Sequence, residues 1–128
     1  MTASLSSPAR RVESQSTADI VNWVRTQFGL THEQIGILVG VTARSAQRWS
    51  DAGNPTVPVG PHRAKIEQLR DLRRLLEHSF PSNIDAALQW LHAPVPLLEG
   101  RRPIDLIKQG RMDRVISVLA GAYAGAFA

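Results

Sequence analysis

Apolar residues recur along this chain at spacings of three and four, the repeat of a helix face, and no stretch shows a convincing period of two. The pattern predicts an all-α fold without strands. Ile20, Trp23, Val24 and Phe28 form a first apolar face, opened by a capping-box-like Ser16-x-x-Asp19 and closed by Gly29. A second helix begins at the capping box Thr31-x-x-Gln34, turns Ile35, Leu38 and Val39 inward and stops at Gly40. Thr42 caps a third, which runs through Trp49. Residues 51–60 (DAGNPTVPVG) hold two prolines and two glycines and predict a loop and a subdomain boundary.

Pro61 suits the first position of a long helix. Ile66, Leu69, Leu72, Leu76 and Phe80 line one side of it, and Arg73 and Glu77 form an i,i+4 pair on its wet side. Pro81 ends that helix. Ser82-x-x-Asp85 then caps another, which finishes near Leu91 and His92, and a proline-containing connector covers residues 93–100. Pro103 opens a short helix with Asp105 near its positive end and Lys108 near its negative end, and Gly110 closes it. Met112, Val115, Ile116, Leu119, Tyr123 and Ala126 stripe the last helix. The expected organisation is a flexible arm (1–15), a helix-turn-helix subdomain (16–60), a connecting helix (61–81) and a compact helical C-terminal domain (82–128).

The stretch from Thr31 to Ser50 meets the geometric demands of a helix-turn-helix. Its two helices cross steeply, which requires a small residue mid-way along the first, and Gly36 stands there. The turn favours positive φ, and Gly40 stands there. Ile35, Val39, Val41, Ala46 and Trp49 fall on the inward positions of the shared core. Glycine inside a helix costs about 1 kcal/mol against alanine, a cost that makes sense where the crossing needs space. The outward face of the second helix carries Ala43, Arg44, Ser45, Gln47 and Arg48, without an acid in its N-terminal half. Arginine pairs bidentately with guanine and glutamine with adenine, so Arg44 and Gln47 are the candidates for base edges. Thr42, Ser45 and Arg48 are the candidates for phosphates, with Arg10, Arg11 and Arg63 as further backbone contacts. The alternative is a helical hairpin that packs and touches no DNA. Specific sites are read by paired motifs, so a homodimer or larger assembly is expected.

Charge supports a polyanionic partner. The chain carries 15 Lys and Arg against 11 Asp and Glu, a net +4. Residues 41–76 alone hold seven bases (Arg44, Arg48, Arg63, Lys65, Arg70, Arg73 and Arg74) against three acids. A solvated arginine-rich surface is the bland alternative. Catalytic and cofactor chemistry is not predicted. With no cysteine, disulfides and thiolate metal sites are excluded. His32-Glu33 begins like HExxH, but Gly36 occupies the place of the second histidine. No phosphate-binding loop or nucleophile elbow is present, so neither metal, cofactor nor enzymatic activity is expected. The histidines are expected at caps and surfaces, and Trp23, Trp49, Trp90 and Phe127 in the core. No apolar run reaches the roughly 18 residues of a membrane helix. The first residues lack the apolar stretch of a secretory leader, so the expected location is the cytoplasm.

The C-terminal half adds a more specific signal. Trp90-Leu91, Pro94, Leu97-Leu98-x-Gly100-Arg101-Arg102-Pro103, Asp105-Leu106 and Gly110, followed by a helix ending GAFA, resemble the antitoxins of the MbcA/ParS/Xre family. The likeness extends over roughly residues 18–128, with Gly36 where the family more often has alanine. It implies an Xre-like N-terminal subdomain, a C-terminal toxin-binding domain, and the antitoxin half of a type II toxin–antitoxin system. The implied partner is a RES-domain toxin that degrades NAD, bound over its active site, and the implied second partner is operator DNA, through which such proteins autorepress. Arg101 and Arg102 are exposed cations just ahead of a helix start, an unfavourable place by the dipole, and pair either with water or with acids on a partner. Gly121 and Gly125, with Ala126, Phe127 and Ala128, allow close approach of the tail to a cleft, a frayed terminus being the alternative. A stand-alone phage-repressor-like transcription factor with a C-terminal dimerisation domain is the competing reading.

Overall fold

The computed structural model describes residues 8–51, 53 and 57–121, of which 8–15 by backbone alone. Among the described residues seven α-helices follow one another: α1 (Pro8–Phe28), α2 (His32–Val39), α3 (Ala43–Trp49), α4 (Gly60–Ser79), α5 (Ile84–Leu91), α6 (Pro103–Lys108) and α7 (Met112–Gly121). A 3-10 turn spans Pro96–Leu98 between α5 and α6. Among the described residues there is no strand, only an isolated antiparallel bridge between Val95 and Arg101. The fold is all-α. No helix among the described residues is long and apolar enough to cross a membrane. The chain divides into two compact units, Met1–Ile66 and Glu67–Ala128, with the division falling inside α4.

In the first unit, α1 buries Thr17, Ala18, Ile20, Val21, Val24 and Phe28, a stripe repeating at three and four. Two expectations are corrected here. The helix begins at Pro8, not at a cap on Ser16, so Ser16 and Asp19 lie within it. Proline has no N–H to lose, so it fits a first turn whose amides lack helical partners anyway. Trp23 is half-buried rather than in the core, its ring edge-on to Phe28 at 5.0 Å. Gly29 closes the helix with its N–H donating to the Arg25 carbonyl. The Thr31–Gln34 capping box is formed in both directions: the Gln34 N–H donates to Thr31 Oγ1 (3.1 Å) and the Thr31 N–H to Gln34 Oε1 (2.9 Å). Gly40 ends α2 at φ 84°, a backbone few L side chains adopt. The Gly36 carbonyl accepts from both Gly40 and Val41 at 2.8 Å, which draws the chain into the tight turn toward α3. Ile35, Leu38, Val39, Ala46 and Trp49 are buried and Val41 is half-buried. The His62 ring serves as a cap, its Nδ1 lying 3.2 Å from the Val39 carbonyl oxygen.

In the second unit, Leu69, Leu72 and Leu76 of α4 are buried and Phe80 and Trp90 are half-buried, their rings 6.4 Å apart. The Arg73–Glu77 pair forms at 2.9 Å on the exposed side. The α5 cap is Asn83, whose Oδ1 accepts from the Ala86 N–H at 3.1 Å, whereas Ser82 takes φ 54° in the preceding turn. Ser82 therefore bends the chain and its neighbour caps the helix, a shift of one residue from the predicted arrangement. His92 closes α5 with its ring 2.8 Å from the Leu88 carbonyl. Leu98, Ile104, Leu106, Ile107, Met112, Val115 and Leu119 are buried, which places α6 almost wholly inside this unit. At Gly110 (φ 78°) the chain leaves α6 through a Schellman turn: the Arg111 N–H donates to Leu106 O and the Gly110 N–H to Ile107 O.

Candidate nucleic-acid and partner interfaces

Helix α3 has seven residues and two ends held by side chains. At its N-terminus Thr42 Oγ1 accepts from the Ser45 N–H at 3.1 Å. The same hydroxyl donates to Ser45 Oγ at 3.2 Å, and Arg48 reaches that Oγ at 3.4 Å. Thr42, Ser45 and Arg48, one helical turn apart, thus form a single hydrogen-bonded row. Arg44 and Gln47 lie on the neighbouring row, and among the described residues neither side chain has a partner. Both are exposed, while Ala46 and Trp49 hold the opposite side in the core. Each of the five predicted residues is on α3 or its cap, and the geometry sorts them into a self-bonded row and a free row.

The C-terminal end of α3 carries residues that sequence patterning missed. Asn22 on α1 donates from Nδ2 to the Ser50 carbonyl at 2.8 Å. Ser50 Oγ donates to the Gln47 carbonyl at 2.6 Å and lies 3.3 Å from His32 Nε2 on α2. Since the hydroxyl hydrogen is directed at Gln47, the imidazole is the donor in the His32–Ser50 contact. Partial burial, aided by the Arg25 cation, lowers the His32 pKa below its ordinary 6.5 and so favours the neutral ring. No sequence spacing signals this arrangement, because its members lie 28 and 18 residues apart.

In the second unit the two predicted cations have different fates. Arg102 is the N-cap residue of α6 and makes a bidentate pair with Asp105, with Nε and one terminal nitrogen each 2.8 Å from a carboxylate oxygen. The pair drives the Asp105 carboxyl below and the guanidinium above their ordinary values. For Arg102 this corrects the expectation of a cation paired with water or with a partner's acid: a carboxylate in the first turn of its own helix answers both the dipole and the arginine's charge. Arg101 is exposed, without a side-chain partner among the described residues, and its backbone pairs with Val95 (N–H to Arg101 O, 3.1 Å). Leu97, at the tip of the turn these two residues close, is 64% exposed. Gly121 is the last described residue, and a Cβ built there meets no described residue within 4 Å. Gly125, Ala126, Phe127 and Ala128 lie outside the described residues, as does Tyr123.

Comparison with known proteins places these features in a family. Residues 75–125 match the domain described as "Antitoxin Xre/MbcA/ParS C-terminal toxin-binding domain". The mycobacterial cidal antitoxin MbcA, from Mycobacterium tuberculosis and from Mycobacterium bovis, is 32% identical over 110 residues, 86% of this chain and 94% of the relative. A second protein of M. tuberculosis, a probable mycobacterial cidal antitoxin, is 32% identical over 120 residues, 92% of this chain and 94% of its own. Among solved structures, a chain in the crystal structure of the M. tuberculosis MbcT–MbcA toxin–antitoxin complex superposes with a TM-score of 0.56 at 30% identity, covering 87% of this chain and 96% of that one. With 32% identity to named antitoxins over most of its length, joined to a domain match at residues 75–125, the chain belongs to the Xre/MbcA/ParS antitoxin family.

Proposed function

We propose that this protein is the antitoxin of a type II toxin–antitoxin pair, that it neutralises a RES-domain, NAD-degrading toxin by binding over its active site, and that it represses its own operon through the α2–α3 helix-turn-helix. The observation that carries the first part is the match of residues 75–125 to an antitoxin toxin-binding domain within a chain that aligns nearly end to end with MbcA. The solved relative was crystallised with a toxin, which supports a protein partner for this chain as well. Arg101 and Leu97, exposed on a turn fixed by the Val95–Arg101 bridge, suit a partner-facing edge in the second unit; Gly121, Gly125, Ala126, Phe127 and Ala128 are the further toxin contacts that the family resemblance implies. Arg102 contributes to that edge by holding α6 rather than as a free charge.

The DNA part rests on α3. Arg44 and Gln47 form an exposed row on a capped helix without an acid, the residue types that read guanine and adenine, and Thr42, Ser45 and Arg48 are the phosphate-facing row. Reading two half-sites calls for a dimer or a larger toxin–antitoxin assembly, and the cytoplasm is the compartment that suits both roles. It acts by occlusion and needs no catalytic group, metal or cofactor of its own.

The test is co-expression with the adjacent reading frame. The full chain should co-purify with that product and restore growth of cells expressing it, and a chain lacking Gly125–Ala128 should keep its fold and lose protection. Growth arrest that the full chain does not relieve, with operator binding intact, would favour the stand-alone repressor instead.

A further inference from the structure

Base reading requires that a helix be held to about 0.5 Å and 10–20°, and a seven-residue helix, roughly 10 Å long, has few points at which to hold it. Ala46 and Trp49 are its buried anchors, and they span only about 60° of its circumference. Anchors confined to so narrow an arc fix the depth of α3 and hold its roll only weakly on the side away from Trp49. At 100° per residue, Ser50 stands about 40° round the axis from Ala46 and about 100° from Trp49, on the side where Gln47 projects. A contact at Ser50 is therefore placed to resist roll, and two other helices supply one: α1 through Asn22 Nδ2 to the Ser50 carbonyl (2.8 Å), and α2 through His32 Nε2 to Ser50 Oγ (3.3 Å). The Ser50 hydroxyl passes that constraint directly to the Gln47 carbonyl at 2.6 Å, the backbone of a proposed base-reading residue. Asn22 is itself oriented, its Oδ1 accepting from Arg25 at 3.4 Å and leaving Nδ2 for Ser50.

We propose that Asn22, His32 and Ser50 are positioning residues for operator recognition: a three-helix clasp that sets the roll of α3 and thereby the aim of Arg44 and Gln47. The inference rests on the reading of α3 as the DNA-recognition helix. It separates two quantities that loss of fold would lower together. Phosphate contacts tolerate a small roll and base contacts do not, so loosening the clasp lowers sequence-specific affinity and spares non-specific affinity and its salt dependence.

The experiment measures binding of the full chain to the duplex immediately upstream of its own reading frame and to a shuffled duplex of equal length, across a salt series, alongside thermal unfolding and toxin neutralisation. Asn22→Ala combined with Ser50→Ala should weaken binding to the upstream duplex about tenfold, the scale of the hydrogen bonds removed. Shuffled-duplex binding, the salt slope and neutralisation should stay unchanged. Ser50→Thr, which keeps the hydroxyl, should restore discrimination, and His32→Ala should reproduce part of the loss. Wild-type discrimination in the double variant overturns the clasp while leaving α3 as the reader. Equal loss on both duplexes, with a lowered melting temperature and no rescue by threonine, also overturns it, since the residues would then be merely structural. If the wild-type protein itself fails to distinguish the two duplexes, the DNA reading falls and the clasp with it.

Discussion

Substituting Gly36 by alanine sets two opposed effects against each other at the turn between α2 and α3. By intrinsic propensity the change should stabilise α2 by about 1 kcal/mol. A Cβ at this position, however, would lie 2.6 Å from the Val41 carbonyl oxygen and 3.1 Å from the Thr42 carbonyl carbon and oxygen. An ordinary carbon–oxygen contact is about 3.3–3.6 Å, so the turn would have to retreat by roughly 0.7 Å or more. It is poorly placed to do so. The atoms in the way are backbone, and the Gly36 carbonyl ties the turn down by accepting from Gly40 and Val41 at 2.8 Å each. Overpacking of this kind costs about 1–3 kcal/mol, and the rigid neighbour puts the cost in the upper part of that range. After the propensity gain is subtracted, Gly36→Ala should lose about 1–2 kcal/mol, a fall in melting temperature of roughly 3–10 °C for a chain of this size. Thermal unfolding followed by circular dichroism measures it. A variant that melts at or above the wild-type temperature would show that the turn yields freely and that space at the crossing is not what glycine supplies.

Trp49→Ala should destabilise the protein by about 3–5 kcal/mol, because the indole is 6% exposed against the α2–α3 core, and urea unfolding would contradict this burial if the midpoint barely moved. Arg44→Ala with Gln47→Ala should weaken binding to the upstream duplex by about 1–3 kcal/mol for each base pair read and leave the melting temperature unchanged; full discrimination in the double variant would mean that α3 does not read bases. His32 gives a pH signature. Its folded pKa is lowered, so the unfolded chain binds the proton first as pH falls. The stability it contributes is complete above the ordinary imidazole value of 6.5 and is lost as pH drops from there through the lower folded value. Melting temperature should therefore fall more steeply below about pH 6.5 in the wild type than in His32→Gln, and parallel curves would refute the assignment.

What was legible in the sequence was local. The Thr31–Gln34 box, the Thr42 cap, Gly40, Gly110 and the Arg73–Glu77 pair each depend on residues three or four apart, so spacing alone encodes them. The misplaced features have physical reasons. Residues 8–15 are polar and lack an apolar repeat, so nothing in the pattern reveals that α1 already runs there. Ser82 and Asn83 are both capping types, and only the backbone, with φ 54° at Ser82, decides between them. The Arg102–Asp105 pair was open to inspection at i,i+3, but weighing Arg102 against the helix dipole alone obscured the carboxylate that answers it. The Asn22–Ser50–His32 clasp is of another kind, since it joins three helices at separations that no local pattern carries. For the partner-facing side, the family motif around residues 90–110 was legible because its buried residues, such as Leu98 and Pro103, and its turn glycines are what the fold itself requires. Which exposed residues meet a partner is not written in those structural positions.

The central claim, that this chain shields cells from an NAD-degrading toxin by covering its active site, is tested most directly by NAD consumption in vitro. The product of the adjacent reading frame, purified and freed of its partner, should consume NAD, and addition of the full-length chain should suppress that activity in proportion to complex formed, reaching near-complete inhibition at saturation. A stable complex that consumes NAD at the rate of the free toxin would contradict the account.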